Sequence, residues 1–244
     1  MMLENETVLV VGGSGDIGLA LCRELLEKGA RVQATWCTNP TGLEELVKEY
    51  GDKLLIHQLD VRDPKACEVF GDELDVSGNI PSCFIYNAGV TEDVPVLGMR
   101  DEQWDKVFDV NVKGALNVIR PVAKYMSLER KGKIFLMSSV AGAKGGRGQG
   151  NYAASKAALE ALGRTLAVEL ARKNILVNMI APGVIESAMT KDVLARSQKK
   201  VLENITLGRP GKSEEVARFV SHLCSPELTY FTGQTFYIDG GFKL

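Results

Sequence analysis

The sequence predicts one doubly wound α/β domain built on a parallel sheet of about seven strands. Two observations carry that expectation. Short β-branched and apolar runs alternate with longer helical patterns from end to end, as strands joined by helical crossovers do. The residues just after several of these runs are rich in Gly, Ser, Asn and Pro, as a ligand site on the carboxyl ends of strands requires. Thr7 to Val11 reads as the first strand and Ile17 to Lys28 as the helix behind it. Arg31 to Trp36 and Leu54 to Leu59 follow as strands two and three. Cys83 to Tyr86, Lys133 to Met137 and Ile175 to Ile180 continue the series, and Thr235 to Ile238 makes a seventh. Glu102 to Leu128, Tyr152 to Arg172 and Glu214 to Cys224 carry helical patterns, while Gly142 to Gly150 reads as a loop too short to separate domains. With no repeat, low-complexity tract or linker, residues 1–244 are expected to form a single domain.

Composition narrows the function classes. A chain of 244 residues, 45% hydrophobic and 25% charged, has ample material for a core. A net charge of -2 gives no overall pull towards nucleic acid or an anionic membrane. Five scattered cysteines without a Cys-x-x-Cys pair read as buried thiols in a reducing compartment. The start lacks the basic and long apolar stretches of a signal peptide, and the apolar runs fall far short of the ~20 residues of a membrane helix. A cytoplasmic location without membrane attachment is the expectation. Neither His57 nor His222 has a second ligand at useful spacing, so no metal requirement is expected.

Val8-Leu-Val-Val-Gly-Gly-Ser-Gly-Asp-Ile-Gly18 puts glycines immediately after the first strand and opens a helix. Glycine lets the backbone turn tightly against a pyrophosphate, and the helix N-terminus supplies free N–H groups. The loop resembles that of the short-chain dehydrogenase/reductase family, Thr-Gly-x-x-x-Gly-x-Gly, and so implies a Rossmann-like fold. Gly12 and Gly18 match; Val11 replaces the threonine and Asp16 the middle glycine. Asp16 would bring a negative side chain near the diphosphate unless it turns outward or caps the helix. Ser14 and Ile17 belong to the same loop and are expected cofactor contacts. Asp60-Val61 matches the family's Asp-Val pair beside the adenine, although an Asp there is equally a helix cap. Asn87-Ala88-Gly89 matches the family's Asn-Ala-Gly element. An acid at the end of strand two would repel the extra phosphate of NADP; here Trp36-Cys37-Thr38 stands instead, with no arginine following. NADP(H) is therefore favoured over NAD(H).

Asn151-Tyr152-Ala-Ala-Ser-Lys156 places a phenol and an ammonium four residues apart on one helix face. A nearby cation favours phenolate, so Lys156 is expected to lower the Tyr152 pKa and make it a tuned general acid. Lys156 would also hold the nicotinamide ribose. Within the resemblance, Ser139, thirteen residues before Tyr152, matches the family's serine, while Ser138 is one position off. Asn111, in Asp109-Val-Asn-Val-Lys-Gly114, matches the family's asparagine, which helps hold a water connecting the lysine to solvent. Asn111, Ser139, Tyr152 and Lys156 form the expected catalytic set. Pro182-Gly183 matches the family's pair beside the nicotinamide, and Val184 and Ile185 would offer backbone groups to its carboxamide. Residues 186–207 are the expected substrate lid.

Within the family the sequence is most similar to 3-oxoacyl-[acyl-carrier-protein] reductases of fatty acid or polyketide synthesis, through Asn151–Lys156, Asn178–Thr190 and Leu207–Val216. An acidic acyl carrier protein needs basic residues near the active-site mouth, and Arg130, Lys131, Arg172 and Lys173 stand where the resembling reductases carry docking arginines. Basic residues also favour helix C-termini on their own account. The resemblance further implies a homotetramer, joined through the long fourth and fifth helices and the last strand. Two alternatives stay open: a dehydrogenase acting on a free alcohol, sugar or steroid ketone, and a catalytically silent nucleotide-binding regulator.

Overall fold

The computed structural model describes residues 2–191, 199 and 201–243. Its strands are β1 (Thr7–Val11), β2 (Arg31–Trp36), β3 (Leu54–Gln58), β4 (Cys83–Tyr86), β5 (Gly132–Met137), β6 (Ile175–Pro182) and β7 (Thr235–Ile238). They form one all-parallel sheet in the order β3-β2-β1-β4-β5-β6-β7. The chain builds outwards from β1 to β3, then returns to β4 beside β1 and builds the other way. Helices therefore leave β1 and β4 towards opposite sides, opening a crevice above their carboxyl ends.

Both faces of the sheet are covered, so strand residues of either parity are apolar. On one face Val8 and Val10 pack with Leu21 and Leu25 of α1 (Asp16–Glu27), Leu43 of α2 (Thr41–Tyr50), and Val216 and Val220 of α8 (Ser213–Leu223). On the other, Leu9 and Val11 pack with Phe70 of α3 (Pro64–Val76), Val118 and Val122 of α5 (Ala115–Glu129), and Leu159 of α7 (Gly150–Leu170). Small residues let α7 approach closely: a Cβ on Gly163 would lie 2.4 Å from Met179 Sδ on β6.

Local chemistry explains where the elements depart from expectation. The third strand stops at Gln58, and the sixth runs two residues further, to Pro182. The single helix expected over Glu102 to Leu128 is three pieces: α4 (Asp101–Phe108), a π-helical turn Asp109–Gly114, and α5. A π turn disturbs the i→i+4 ladder, and Val110 O is instead satisfied by the Tyr86 hydroxyl of β4 at 2.7 Å. The predicted loop from Gly142 begins inside a short helix, α6 (Val140–Lys144), which Ser139 caps by accepting from Ala141 N–H at 3.2 Å. Four cysteines are buried as expected, whereas Cys37 is exposed at the end of β2. Among the described residues, no helix is long and apolar enough to cross a membrane.

Candidate active site

The turn after β1 is shaped for close approach. Gly12 has φ +80°, and a Cβ there would lie 2.7 Å from the Ala88 backbone. A Cβ on Gly18 would meet Gly12 O at 2.3 Å, so the start of α1 is pressed directly onto the turn. Asn87 Nδ2 donates to Gly12 O at 2.9 Å and ties the ends of β1 and β4 together, as expected. Gly12 N–H donates to Thr35 Oγ1 at 3.2 Å and Gly13 N–H to Thr35 O at 2.8 Å, which fixes the turn to β2. Ser14 lies half-buried on its crest, and Ile17 packs against the core. A glycine-rich turn, followed by a twelve-residue helix that starts with free N–H groups, fits a dinucleotide diphosphate. Asp16 does not cap that helix: Gly15 is the N-cap residue, without a side-chain bond. Asp16 Oδ2 instead accepts from the distant Ala188 N–H at 2.7 Å.

At the carboxyl ends of β2 and β3, the helix-cap alternative for Asp60 is not what the structure shows. Asp63, not Asp60, caps α3, accepting from Lys65 and Ala66 N–H groups. Asp60 is held by Arg62 through contacts of 2.6, 2.9 and 3.1 Å, and the guanidinium keeps its carboxyl below the usual range. Val61 is buried, with its carbonyl taken by Asn117 Nδ2. The exposed Cys37 thiol feels both Asp60 and Arg62. An arginine therefore does face the end of β2; it comes from beyond β3, where proximity in sequence to Trp36 gives no hint of it.

The catalytic candidates converge where β4, β5 and α7 meet. Ser139 and Ser138 diverge as strand alternation requires: Ser138 Oγ points away, donating to Glu160 at 2.7 Å, and Ser139 faces Tyr152. The choice of Ser139 over Ser138 thus agrees with the geometry. Burial pushes the Tyr152 phenol up, the Ser139 hydroxyl pulls it back in the other direction, and the Asp93 carboxylate adds to the upward shift. The expected lowering by Lys156 is not found. Lys156 is itself buried; its Nζ donates to Met137 O at 2.7 Å and lies 5.6 Å from the Tyr152 ring centroid. Desolvation lowers the lysine from 10.5 to about 8. Asn111, on the π turn, accepts from Val90 N–H at 2.8 Å and donates to Val90 O at 3.0 Å and Ser155 Oγ at 2.9 Å. Gly89 separates it from the lysine: a Cβ there would lie 3.3 Å from Lys156 Nζ and 3.4 Å from Asn111 Oδ1.

Pro182 ends β6 and Gly183 follows it, where a Cβ would strike Asp239 Cα at 2.6 Å. Val184 O accepts from Gly211 N–H and Ile185 O from Thr190 Oγ1. The Ile185 side chain packs into the core rather than facing the crevice. A cavity of about 120 Å³ lies beside Val184, Asp239 and Gly240, and a wider cleft of about 710 Å³ is lined by Asp16, Glu186 and residues of α1, α2 and α8. The expected lid over 186–207 includes residues 192–198 and 200, which lie outside the described residues.

The basic residues do not line this mouth. Arg130 follows α5 and Arg172 precedes β6, and Arg130 Nη2 donates to Arg172 O at 3.1 Å. Both lie at the amino ends of β5 and β6, one strand length, roughly 20 Å, from Ser139. Sequence reasoning also missed Asn151, buried at the start of α7, where Nδ2 donates to Glu92 O and Gln103 O at 3.0 Å. Its place beside Tyr152 was the only hint. Asp93, held by Thr91 and Gln149, carried none.

Comparison with known proteins agrees with this geometry. A family described as Enoyl-(Acyl carrier protein) reductase matches residues 12–243. The 3-oxoacyl-[acyl-carrier-protein] reductase FabG of Thermotoga maritima is 40% identical over 245 residues, covering 99% of each chain. Nodulation protein G of Rhizobium meliloti is 36% identical over 242 residues, covering 99% of this chain and 98% of that protein. FabG of Escherichia coli is 33% identical over 241 residues, with the same coverage. The solved structure described as "Crystal structure of gox2181" superposes with a TM-score of 0.94 at 28% identity, covering 99% of this chain and 96% of that one. The shared sheet, glycine turn and full-length matches make this chain a member of the short-chain dehydrogenase/reductase family, oxidoreductases that bind a nicotinamide cofactor.

Proposed function

We propose that this protein uses NADPH to reduce the 3-oxo group of an acyl thioester held on acyl carrier protein. The observation that carries this reading is a half-buried phenol, held protonated by desolvation, paired with Ser139 and backed by Lys156. Full-length similarity to proteins named 3-oxoacyl-[acyl-carrier-protein] reductase supports the substrate class.

A bound reduced nicotinamide would supply hydride to the ketone carbon. Gly12, Ser14, Ile17 and Gly18 would hold its diphosphate side; Asp60, Val61 and Asn87 to Gly89 its adenosine side; Pro182 to Ile185 its nicotinamide. As charge builds on the substrate oxygen, Ser139 donates a hydrogen bond to it and Tyr152 gives up its proton. Burial disfavours phenolate beforehand, which keeps the donor loaded. The Lys156 ammonium then stabilises the phenolate and holds the ribose. Asn111 fixes the Val90 backbone, keeping the wall around Lys156 in place. Absence of an acid at the end of β2, with Arg62 nearby, favours NADPH.

The carrier would dock on Arg130, Lys131, Arg172 and Lys173. Because these lie at the amino ends of β5 and β6, away from Ser139 at the carboxyl end, the docked carrier serves the active site of another subunit. That ties docking to a homotetramer, for which exposed Val168, Leu128 and Trp104 on α7, α5 and α4 offer apolar contact. The deciding assay compares NADPH with NADH on a carrier-bound 3-oxoacyl substrate and on free sugar and steroid ketones. At least tenfold preference for NADPH and turnover of the carrier-bound thioester are expected. Turnover of free ketones alone would refute the substrate, and NADPH binding without any turnover would point to a silent regulator.

A further inference from the structure

Asp16 stands where the family loop carries glycine, and its carboxylate serves no local cap. Its partner is Ala188 N–H, 172 residues away in sequence, at 2.7 Å. Ala188 belongs to a compact turn after β6. Ser187 N–H donates to Thr190 Oγ1 at 3.2 Å, Thr190 N–H to Ser187 Oγ at 3.3 Å, and Thr190 Oγ1 to Ile185 O. The turn is anchored on one side, where Glu186 N–H donates to Gly211 O at 2.9 Å and Ile185 is buried in the core. On its other side, the bond to Asp16 reaches the helix that begins at the glycine turn. The bond thus joins the two ends of the crevice, from the diphosphate turn to the segment that follows Pro182-Gly183.

We propose that Asp16 is a positioning residue that straps the Gly183-to-Thr190 segment across the cofactor crevice. The strap's action on NADPH rests on the cofactor reading above. A glycine at this position has no acceptor to offer, so the strap belongs to this loop's departure from the family pattern. Two effects of opposite sign then follow. A carboxylate near a diphosphate repels it, so removing the charge alone tightens binding. Losing the hydrogen bond frees the segment and loosens binding.

Asp16→Asn and Asp16→Ala separate the two, because asparagine keeps an acceptor oxygen and loses only the charge. NADPH affinity is read by fluorescence titration, and exposure of the Ala188 amide by hydrogen exchange in the cofactor-free protein. The strap predicts that Asp16→Ala binds NADPH about fivefold more weakly than Asp16→Asn, the size of one hydrogen bond. It also predicts faster Ala188 exchange in Asp16→Ala, but not in Asp16→Asn. Equal or tighter binding by Asp16→Ala, or unchanged exchange, overturns it. Should the wild-type protein not bind NADPH, the cofactor reading fails, and the exchange rates alone decide whether Asp16 holds the segment.

Discussion

Burial at the active centre acts on two charges at once. It opposes both the phenolate of Tyr152 and the ammonium of Lys156, which keeps the phenol protonated and makes the ammonium easier to deprotonate. Tyr152→Phe should lower kcat by about 10²- to 10⁴-fold, the span of general acid catalysis, with NADPH affinity by titration unchanged. Lys156 also makes a stability prediction with a definite sign. Its native pKa of about 8 lies below the unfolded value of 10.5, so the native state disfavours the charged form. The penalty is complete below pH 8, about 3 kcal/mol, and fades as pH rises from there to 10.5. Lys156→Met removes it but forfeits the bond to Met137 O, about 1 kcal/mol. The inactive variant should therefore resist urea better than wild type at pH 7, by about 2 kcal/mol, with the advantage gone by pH 10. A variant less stable at pH 7 would show that the lysine is not destabilising. The tyrosine and lysine were legible from their spacing; the direction of the tyrosine shift was not, because desolvation depends on what the fold packs around it.

Elements turn these residue properties into a site. The glycine turn could be read from sequence because its composition follows a strand and opens a helix. Two glycines with positive φ make opposite use of that freedom. At Gly12 a Cβ would strike the Ala88 backbone, whereas at Gly145, φ +61°, nothing lies within 4 Å. At φ +61° and ψ 173° Gly145 holds a conformation that only glycine adopts readily, so Gly145→Ala should cost backbone strain alone, about 2 kcal/mol; Gly12→Ala adds the clash with the Ala88 backbone, so it should cost more than Gly145→Ala and weaken NADPH binding. Equal losses in paired denaturation curves would mean that the turn tolerates a methyl group. The π turn was not legible, since Asp109 to Gly114 fits an ordinary helical pattern. Its registry is set by distant partners, Tyr86 on Val110 O and the Val90 backbone on Asn111. Asn111→Ala leaves Val90 N–H and C=O without that partner, so about 2 kcal/mol of stability should be lost, together with activity.

The whole molecule decides how a carrier-bound substrate could be delivered. The Arg-Lys pairs and the candidate catalytic residues lie at opposite ends of β5 and β6, a relation invisible when they are only positions in a chain. Charge reversal at Arg130 and Arg172 should raise KM for carrier-bound substrate by about tenfold or more, yet spare a small free thioester. Equal effects on both substrates would sink docking at this patch. Sedimentation velocity tests the accompanying assembly: a tetramer is expected, and a monomer with full activity on carrier-bound substrate would contradict delivery between subunits.

By itself, the sequence determined the parallel doubly wound sheet and the glycine turn, and it singled out Ser139, Tyr152, Lys156 and Asn111 as candidates. These depend on local periodicity, on residue types at strand ends and on i,i+4 spacing, all of which a linear chain displays. Only the tertiary structure decided which partners were in reach. It gave Ser138 to Glu160 and Asp16 to Ala188. Such pairings arise where the sheet brings distant loops together, and short-range pattern carries no information about them.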